Sequence, residues 1–195
     1  MTTELIIKQN ETFSRVLRWG AAPYIYAPIT VITQAAPVSI TSTAHGIPNG
    51  WRVAPVSAKG MTQINAANTP PRGQDYHKAT VVDANTIALN DINSSGFSAY
   101  TSGGYLQYLT PGDLAGASAS MLIYDGQGGT LLKTLDTVVG GITLDNTAKT
   151  ISLLISEADV ALITWDTAIY ELSVTSAGGV TTLLMSGSIT LERNQ

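Results

Sequence analysis

The sequence contains no cysteine, which removes disulfides, thiol nucleophiles and thiolate metal ligands together and leaves the redox compartment open. Charge is scarce as well. Only 12% of the 195 residues are charged, against roughly 25% in an ordinary soluble domain. The ten Lys and Arg residues are spread singly and are outweighed by fourteen Asp and Glu, for a formal net charge of −4. No basic stripe exists to neutralise phosphates, so nucleic acid is not an expected partner. No apolar run approaches the ~20 residues that span a bilayer, so a membrane is not expected either. The start, Met1-Thr-Thr-Glu-Leu-Ile-Ile-Lys-Gln9, lacks a basic region followed by an apolar run. The chain is therefore expected to be made in the cytoplasm and used without export.

What the sequence does contain is apolar residues, 44% of the chain, enough for a substantial core. With so few charges, much of the surface must be Thr, Ser, Asn and Gly, which suits a subunit packed against neighbours. Thr, Val, Ile and Tyr recur in short runs broken by Gly, Asn, Asp and Pro at about ten-residue spacing, the pattern of sandwiches and barrels. Apolar residues alternate at Ala119, Met121 and Ile123, at Ile151, Leu153 and Ile155, at Ala168, Tyr170, Leu172 and Val174, and at Ile189 and Leu191. A period of two puts one set of side chains on a core face. Turns are expected at Asp125–Gly129, Gly140-Gly141, Asp145-Asn146 and Gly178-Gly179, whose residues accept the positive φ of tight hairpins. One short helix is expected after Ser156, with Ser156 as N-cap and Glu157 and Asp159 at the positive end of the dipole, running to about Leu162. Near the start, Phe13, Leu17 and Trp19 share strand parity with Arg15. A cation on a core-facing parity predicts an edge strand or an interface there.

The middle of the chain differs. From Ile29 to Tyr108 it is richer in Ala, Pro and Asn, with an irregular stretch from Asn65 to Gln74, and Pro23, Pro28 and Pro111-Gly112 bracket it. Long structureless loops are unusual inside a domain, so residues 29–108 are expected to fold as an inserted domain. The flanks, 1–28 and 109–195, then close into one discontinuous sandwich, because lengthening a surface loop costs only slowly growing entropy. Tyr24, Tyr26, Tyr100, Tyr105 and Tyr108 crowd the two junctions. They are expected to fill the seam between the domains, with an exposed interface or carbohydrate groove as the alternative.

Candidate chemistry is thin, and the expected catalytic, cofactor-binding and metal sites are none. His45, before Gly46 in a turn-rich element, is expected to hold a turn by hydrogen bonding; His77 sits beside Tyr76, and no carboxylates cluster near either in sequence, as a zinc site without cysteine would require. There is no Gly-x-Ser-x-Gly elbow. The glycines of Asp125–Gly129 lack the ligands of a calcium loop and the ending of a phosphate loop, and a hairpin explains them. Glu157 with Asp159 and Asp166 with Glu171 are the close acidic pairs of the C-terminal half. The first belongs to the helix cap and the second straddles a strand start, so glycosidase work is not expected of them. The uncharged strands at Ile151–Ile155 and Val180–Leu191 are expected to be poorly defended edges that pair with another copy of the chain.

Two resemblances cover nearly the whole sequence. Ile40-Thr-Ser-Thr-Ala-His45-Gly46-Ile-Pro-Asn-Gly50, Gly60-Met61 with Ile64-Asn65, Tyr76, Ala79-Thr-Val-Val-Asp83-Ala-Asn-Thr86 and Ser98-Ala-Tyr-Thr-Ser-Gly-Gly104 resemble the small FCCH-like β-barrel module. That module takes its name from a domain of ubiquitin-activating enzymes and is common in phage tail proteins. Residues Asn68 to Gln74 depart from it as an extra Pro-rich loop. The flanks resemble the Ig-like β-sandwich at the N-termini of phage upper-baseplate proteins. The carriers are Gln9-Asn-Glu-Thr-Phe13 leading to Trp19, Asp113-Leu-Ala-Gly116, Met121-Leu-Ile-Tyr-Asp125, Gly141-Ile-Thr-Leu144, Ser156-Glu-Ala-Asp159 and Tyr170-Glu-Leu172. In that family Asp-Leu-Thr-Gly commonly stands where this chain has Asp113-Leu-Ala-Gly116, and an apolar residue is usual at the place of Arg15. The resemblance implies an all-β fold: a discontinuous Ig-like β-sandwich with an inserted small β-barrel. It implies a structural virion protein of a bacteriophage, not an enzyme, assembling in the tail, baseplate or collar region. Its partners would be other virion proteins and copies of itself. The alternatives are a head-surface decoration or head-fibre protein, and a carbohydrate-binding module contacting a host-surface glycan.

Overall fold

The computed structural model describes residues 3–193. Alternating apolar residues and glycine-rich turns produce strands almost throughout. The first nine are β1 (Leu5–Lys8), β2 (Phe13–Leu17), β3 (Gly20–Pro28), β4 (Val31–Ile32), β5 (Val38–Thr41), β6 (Arg52–Val56), β7 (His77–Asp83), β8 (Thr86–Leu89) and β9 (Tyr105–Pro111). They are followed by β10 (Ser118–Tyr124), β11 (Leu131–Asp136), β12 (Ile142–Asp145), β13 (Thr150–Ile155), β14 (Thr167–Thr175) and β15 (Thr181–Glu192). A short helix, α1 (Glu157–Ala161), lies between β13 and β14; the Ser156 side chain caps it by accepting from the Asp159 amide. The protein is all-β and divides into two units. One is built from the chain up to Trp19 and from Gly112 onward, the other from Gly20–Pro111.

The discontinuous unit is a sandwich. Its larger sheet runs β1-β15-β14-β10-β11 and its smaller one β12-β13-β2. Met121, Ile123, Tyr170, Leu172, Ile189 and Leu191 from the first sheet share one core with Phe13, Ile142, Ile151, Leu153 and Ile155 from the second. The apolar parity expected for β10, β13, β14 and β15 is the buried parity. All four expected turns fall between strands, with Gly128, Gly140, Gly141 and Gly179 at positive φ.

The N-terminal piece gives each sheet one edge strand. β1 lies parallel to the end of β15, with Leu5 opposite Ile189 and Ile7 opposite Leu191. β2 lies antiparallel to β13, with Phe13 opposite Ile155 and Arg15 opposite Leu153. Arg15 is thus on an edge strand, where its guanidinium reaches solvent.

Of the two uncharged strands, Ile151–Ile155 proves not to be the edge expected of it, because β13 lies between β12 and β2. β1 lies beside β15 only over Ile189–Glu192, so most of Val180–Leu191 is the edge expected of it. The four edge strands of the sandwich each carry charge, at Lys8, Arg15, Lys133 with Asp136, and Asp145, the usual defence against stray pairing. Thr181–Ser188 of β15 combines an absence of charge with a strand register to β14 alone.

The continuous unit is a seven-stranded sheet in the order β3-β9-β6-β7-β8-β5-β4. Ile40, Val53, Met61, Ile87, Leu89, Leu106 and Tyr108 form its core. Its end strands β3 and β4 are consecutive in the chain and share no ladder among the described residues, so the ladders alone do not close the expected barrel.

The boundaries fall at 19/20 and 111/112, not at 28/29 and 108/109. The reason is the ladder that joins all of β3 to β9, from Gly20 opposite Pro111 to Pro28 opposite Tyr105. A cut at 28/29 would split that pair of strands. The joint is tight: the Gly112 amide donates to the Trp19 carbonyl at 2.8 Å, and a side chain at Gly112 would run into the Trp19 ring. Replacing Gly20–Pro111 with a short Gly-Ser link should therefore leave a folded sandwich with cooperative thermal melting by circular dichroism. Replacing 29–108 should leave β3 as an unmatched apolar stub and an aggregating product. An unfolded chain from the first deletion would contradict the division.

Candidate functional site

The two histidines do different things. His45 is buried. Its Nδ1 accepts from the Ile47 amide at 2.9 Å and its Nε2 lies 3.1 Å from the Asp83 carbonyl, so the proton sits on Nε2, which donates. Asn85 completes the stitch by accepting from the Ala44 amide at 2.8 Å. Ala44 and Gly46 both have positive φ, and this side-chain bonding holds that backbone in place. His45 is the turn-holding residue expected of it.

His77 has a carboxylate partner that adjacency in sequence did not reveal. Its Nδ1 is 2.7 Å from Asp91 Oδ2, and the pair lines a concavity of about 320 Å³ with Gln63, Asn65, Asn93 and Phe97. A histidine oriented by a carboxylate is two-thirds of a nucleophile triad. Among the described residues no hydroxyl is hydrogen-bonded to the ring, so the pair is a cross-link between β7 and the segment after β8. No group of three or more His, Asp or Glu among the described residues is placed to hold a metal ion.

One member of each acidic pair of the C-terminal half is engaged elsewhere. Asp159 accepts from the Ser156 hydroxyl at 2.8 Å and lies 3.5 Å from Lys133 Nζ. The Ser156 bond first, and the Lys133 charge second, hold its carboxyl below the ordinary value. Asp166 accepts from Arg193 Nε at 2.6 Å, and Glu171 is exposed. Asp125 accepts from the Thr130 amide at 2.7 Å, which makes Asp125–Gly129 a closed hairpin turn. A second concavity, of about 600 Å³, lies between β1 and β2. It mixes Glu4, Glu11 and Glu192 with Lys8 and Arg15, so its charges offset one another.

The irregular Asn65–Gln74 stretch is organised by one carboxylate that sequence reasoning did not single out. Asp75, buried, accepts from the Arg72 amide at 2.7 Å, from Asn68 Nδ2 at 2.9 Å and from the Ala67 amide at 3.2 Å. These donors, Arg72 first, hold its carboxyl below 3.8. The loop returns over the outer face of β6, where the Ala66 amide donates to the Pro55 carbonyl and the Arg52 guanidinium donates to the carbonyls of Gly73 and Tyr76.

That outer face is where the junction tyrosines stand. Tyr24, Tyr26 and Tyr105 are 43%, 52% and 44% exposed, and Tyr26 meets Tyr105 edge to face with centroids 6.3 Å apart. Gln107 Nε2 donates to the Tyr76 hydroxyl at 2.9 Å. Burial first, and a hydrogen bond with Tyr24 second, push that hydroxyl's pKa up to about 12. The other two tyrosines differ. Tyr108 is a core residue whose hydroxyl donates to the His45 carbonyl, and Tyr100 donates to the carbonyls of Ile29 and Gly103. The five thus fall into two groups, an exposed aromatic set of Tyr24, Tyr26 and Tyr105 and the internal pins Tyr100 and Tyr108. Strand parity was the available signal, since Tyr24 and Tyr26 alternate with the inward Ile25 and Ala27.

No family model matches this chain, and no curated protein matches it. What fold and site define is an all-β protein whose polar side chains mostly secure turns. Among the described residues no helix is long and apolar enough to cross a membrane.

Two substitutions in the His45 region should move stability in opposite directions. His45→Ala strands a buried amide and a carbonyl and should cost roughly 2 kcal/mol. Ser42→Ala removes a buried hydroxyl without a partner and should be neutral or stabilising by up to about 1 kcal/mol. Urea midpoints of the two variants check both. Asp75 adds a pH dependence. With its folded pKa depressed, its contribution is present in full above the unfolded value and fades as pH falls through the folded one. Asp75→Asn should therefore be less stable than wild type at neutral pH, and the gap should close as pH falls through the depressed folded pKa of Asp75. A gap constant from pH 7 to 2 would contradict that.

Proposed function

We propose that the chain is a structural subunit of a bacteriophage particle, in the tail, baseplate or collar region, attached to its neighbours through the sandwich unit. The ordered motifs of the flanks and of the middle segment support the phage reading, through their likeness to Ig-like upper-baseplate and FCCH-like modules. Neighbours are other virion proteins and further copies of the chain, arranged by the symmetry of the particle.

The observation that carries attachment through the sandwich is the turn between β11 and β12. Val138 and Val139 stand at its tip, 89% and 83% exposed. They are not on a loose loop. Asp136 Oδ1 accepts from both valine amides, Asp136 and Gly140 exchange backbone hydrogen bonds, and the Thr137 amide donates to the Ala119 carbonyl. The Leu154 amide donates to Gly141 at the base of the turn, and Leu154 is itself exposed, as are Leu131 and Val16. A rigid tip that holds two aliphatic side chains in water is unfavourable for a free monomer and favourable in a neighbour's pocket.

The double substitution Val138→Asp with Val139→Asp should leave folding within about 0.5 kcal/mol of wild type, as surface changes usually do, while sharply lowering uptake into particles. Uptake is measured by quantitative mass spectrometry of purified virions, and electron microscopy of the particle gives the location. Normal uptake of the variant, or a chain absent from purified virions, would overturn the proposal.

A further inference from the structure

The outer face of the continuous unit juxtaposes unpaired cations and amphipathic rings. Arg52 on β6 and Lys78 on β7 are direct cross-strand partners, so their side chains share a face, and both are exposed. Like charges directly opposite one another destabilise a sheet. Among the described residues neither forms an ion pair with a carboxylate, although the chain carries a net charge of −4. Arg52 is held in place by its bonds to the Gly73 and Tyr76 carbonyls. Two neighbouring cations kept without counter-charge on an acidic protein are complementary to an anion.

The rest of the face says which kind of anion. Gln107 lies opposite Tyr26 on one side and Ala54 on the other, so the Tyr24 and Tyr26 side chains project from the same face as Arg52. At ~4.8 Å between strands, the span from β7 to β3 is about 14 Å, and tyrosines two apart on a strand are separated by ~6.6 Å. The large apolar side chains exposed on β3, β6 and β9 are tyrosines, and β7 adds the exposed Val82 on the parity of Lys78. A tyrosine ring offers an apolar body and a polar tip, matching a pyranose, whose C–H face is apolar and whose rim is hydroxyl.

We propose that this face binds an anionic polysaccharide, Arg52 and Lys78 taking its carboxylate or phosphate groups while Tyr24, Tyr26 and Tyr105 pack against the sugar rings. Between the cations and the tyrosines the face is covered: Ala54 and Gln107 are buried, and Gln107 Nε2 donates to the Tyr76 hydroxyl. The site is separate from the aliphatic surface of the sandwich and does not depend on what that surface contacts.

The test is affinity electrophoresis of the full chain through gels holding polygalacturonate, colominic acid or a ribitol-phosphate teichoic acid, which separate uronate, sialate and phosphate sources. Dextran and poly-glutamate are the controls. At least one acidic polysaccharide should retard the wild type, and dextran and poly-glutamate should not. Lys78→Glu, and separately Tyr26→Ala with Tyr105→Ala, should each weaken retardation about tenfold, a loss of ~1.4 kcal/mol, with thermal midpoints showing both variants folded. No retardation by any of the three would overturn the proposal, as would equal retardation by poly-glutamate or dextran, or folded variants that bind like wild type.

Discussion

The sandwich depends on two short strands from the start of the chain finding their places beside strands from its end. β1 closes the larger sheet against β15 and β2 closes the smaller against β13, so a single N-terminal piece ties both layers together. Tyr170, buried in the larger sheet, reinforces this by donating its hydroxyl to the Thr3 carbonyl at 2.8 Å. Contacts so distant in sequence carry a loop-closure cost that grows only slowly with loop length. The Trp19–Gly112 hydrogen bond brings the two ends of the insertion side by side, so the sandwich tolerates a second folded unit between them.

Scarcity of charge shapes the rest. Asp83, Asp125, Asp136 and Asp145 each accept backbone amides within their own turns, and Asp75 does so for a whole loop. Carboxylates used in this way fix the backbone of the turns they belong to. The two units also differ in what they expose. The sandwich shows aliphatic tips such as Val138, Val139 and Leu162, while the continuous unit shows Tyr24, Tyr26 and Tyr105 together with Val31 and Val82.

Much of the sandwich was legible in the sequence because it rests on local signals. Alternation marked β10, β13, β14 and β15, glycines marked their turns, and Ser156 with Asp159 marked the helix cap. Edges were not legible, since a strand without charge looks the same whether it is abandoned to solvent or paired on both sides; β13 is the second case. The domain boundary lay nine residues from its expected position on the N-terminal side, at 19/20 and not 28/29, because Pro28 reads as a break, whereas it is the last residue of β3. The candidate binding face was only half visible. Alternation singles out Tyr24 and Tyr26, but the pairing of Arg52 with Lys78 and of His77 with Asp91 depends on register and loop closure, which no short window contains.

The division of labour between an aliphatic attachment surface and a tyrosine-bearing face is the central claim, and hydroxyl-radical footprinting of the free chain against the intact particle tests it most directly. In the free chain, Val138, Val139, Tyr24, Tyr26 and Tyr105 should all be labelled. In the particle, labelling of the two valines should fall to background while the three tyrosines stay reactive. Valines that remain labelled in the particle while the tyrosines become protected would contradict the account.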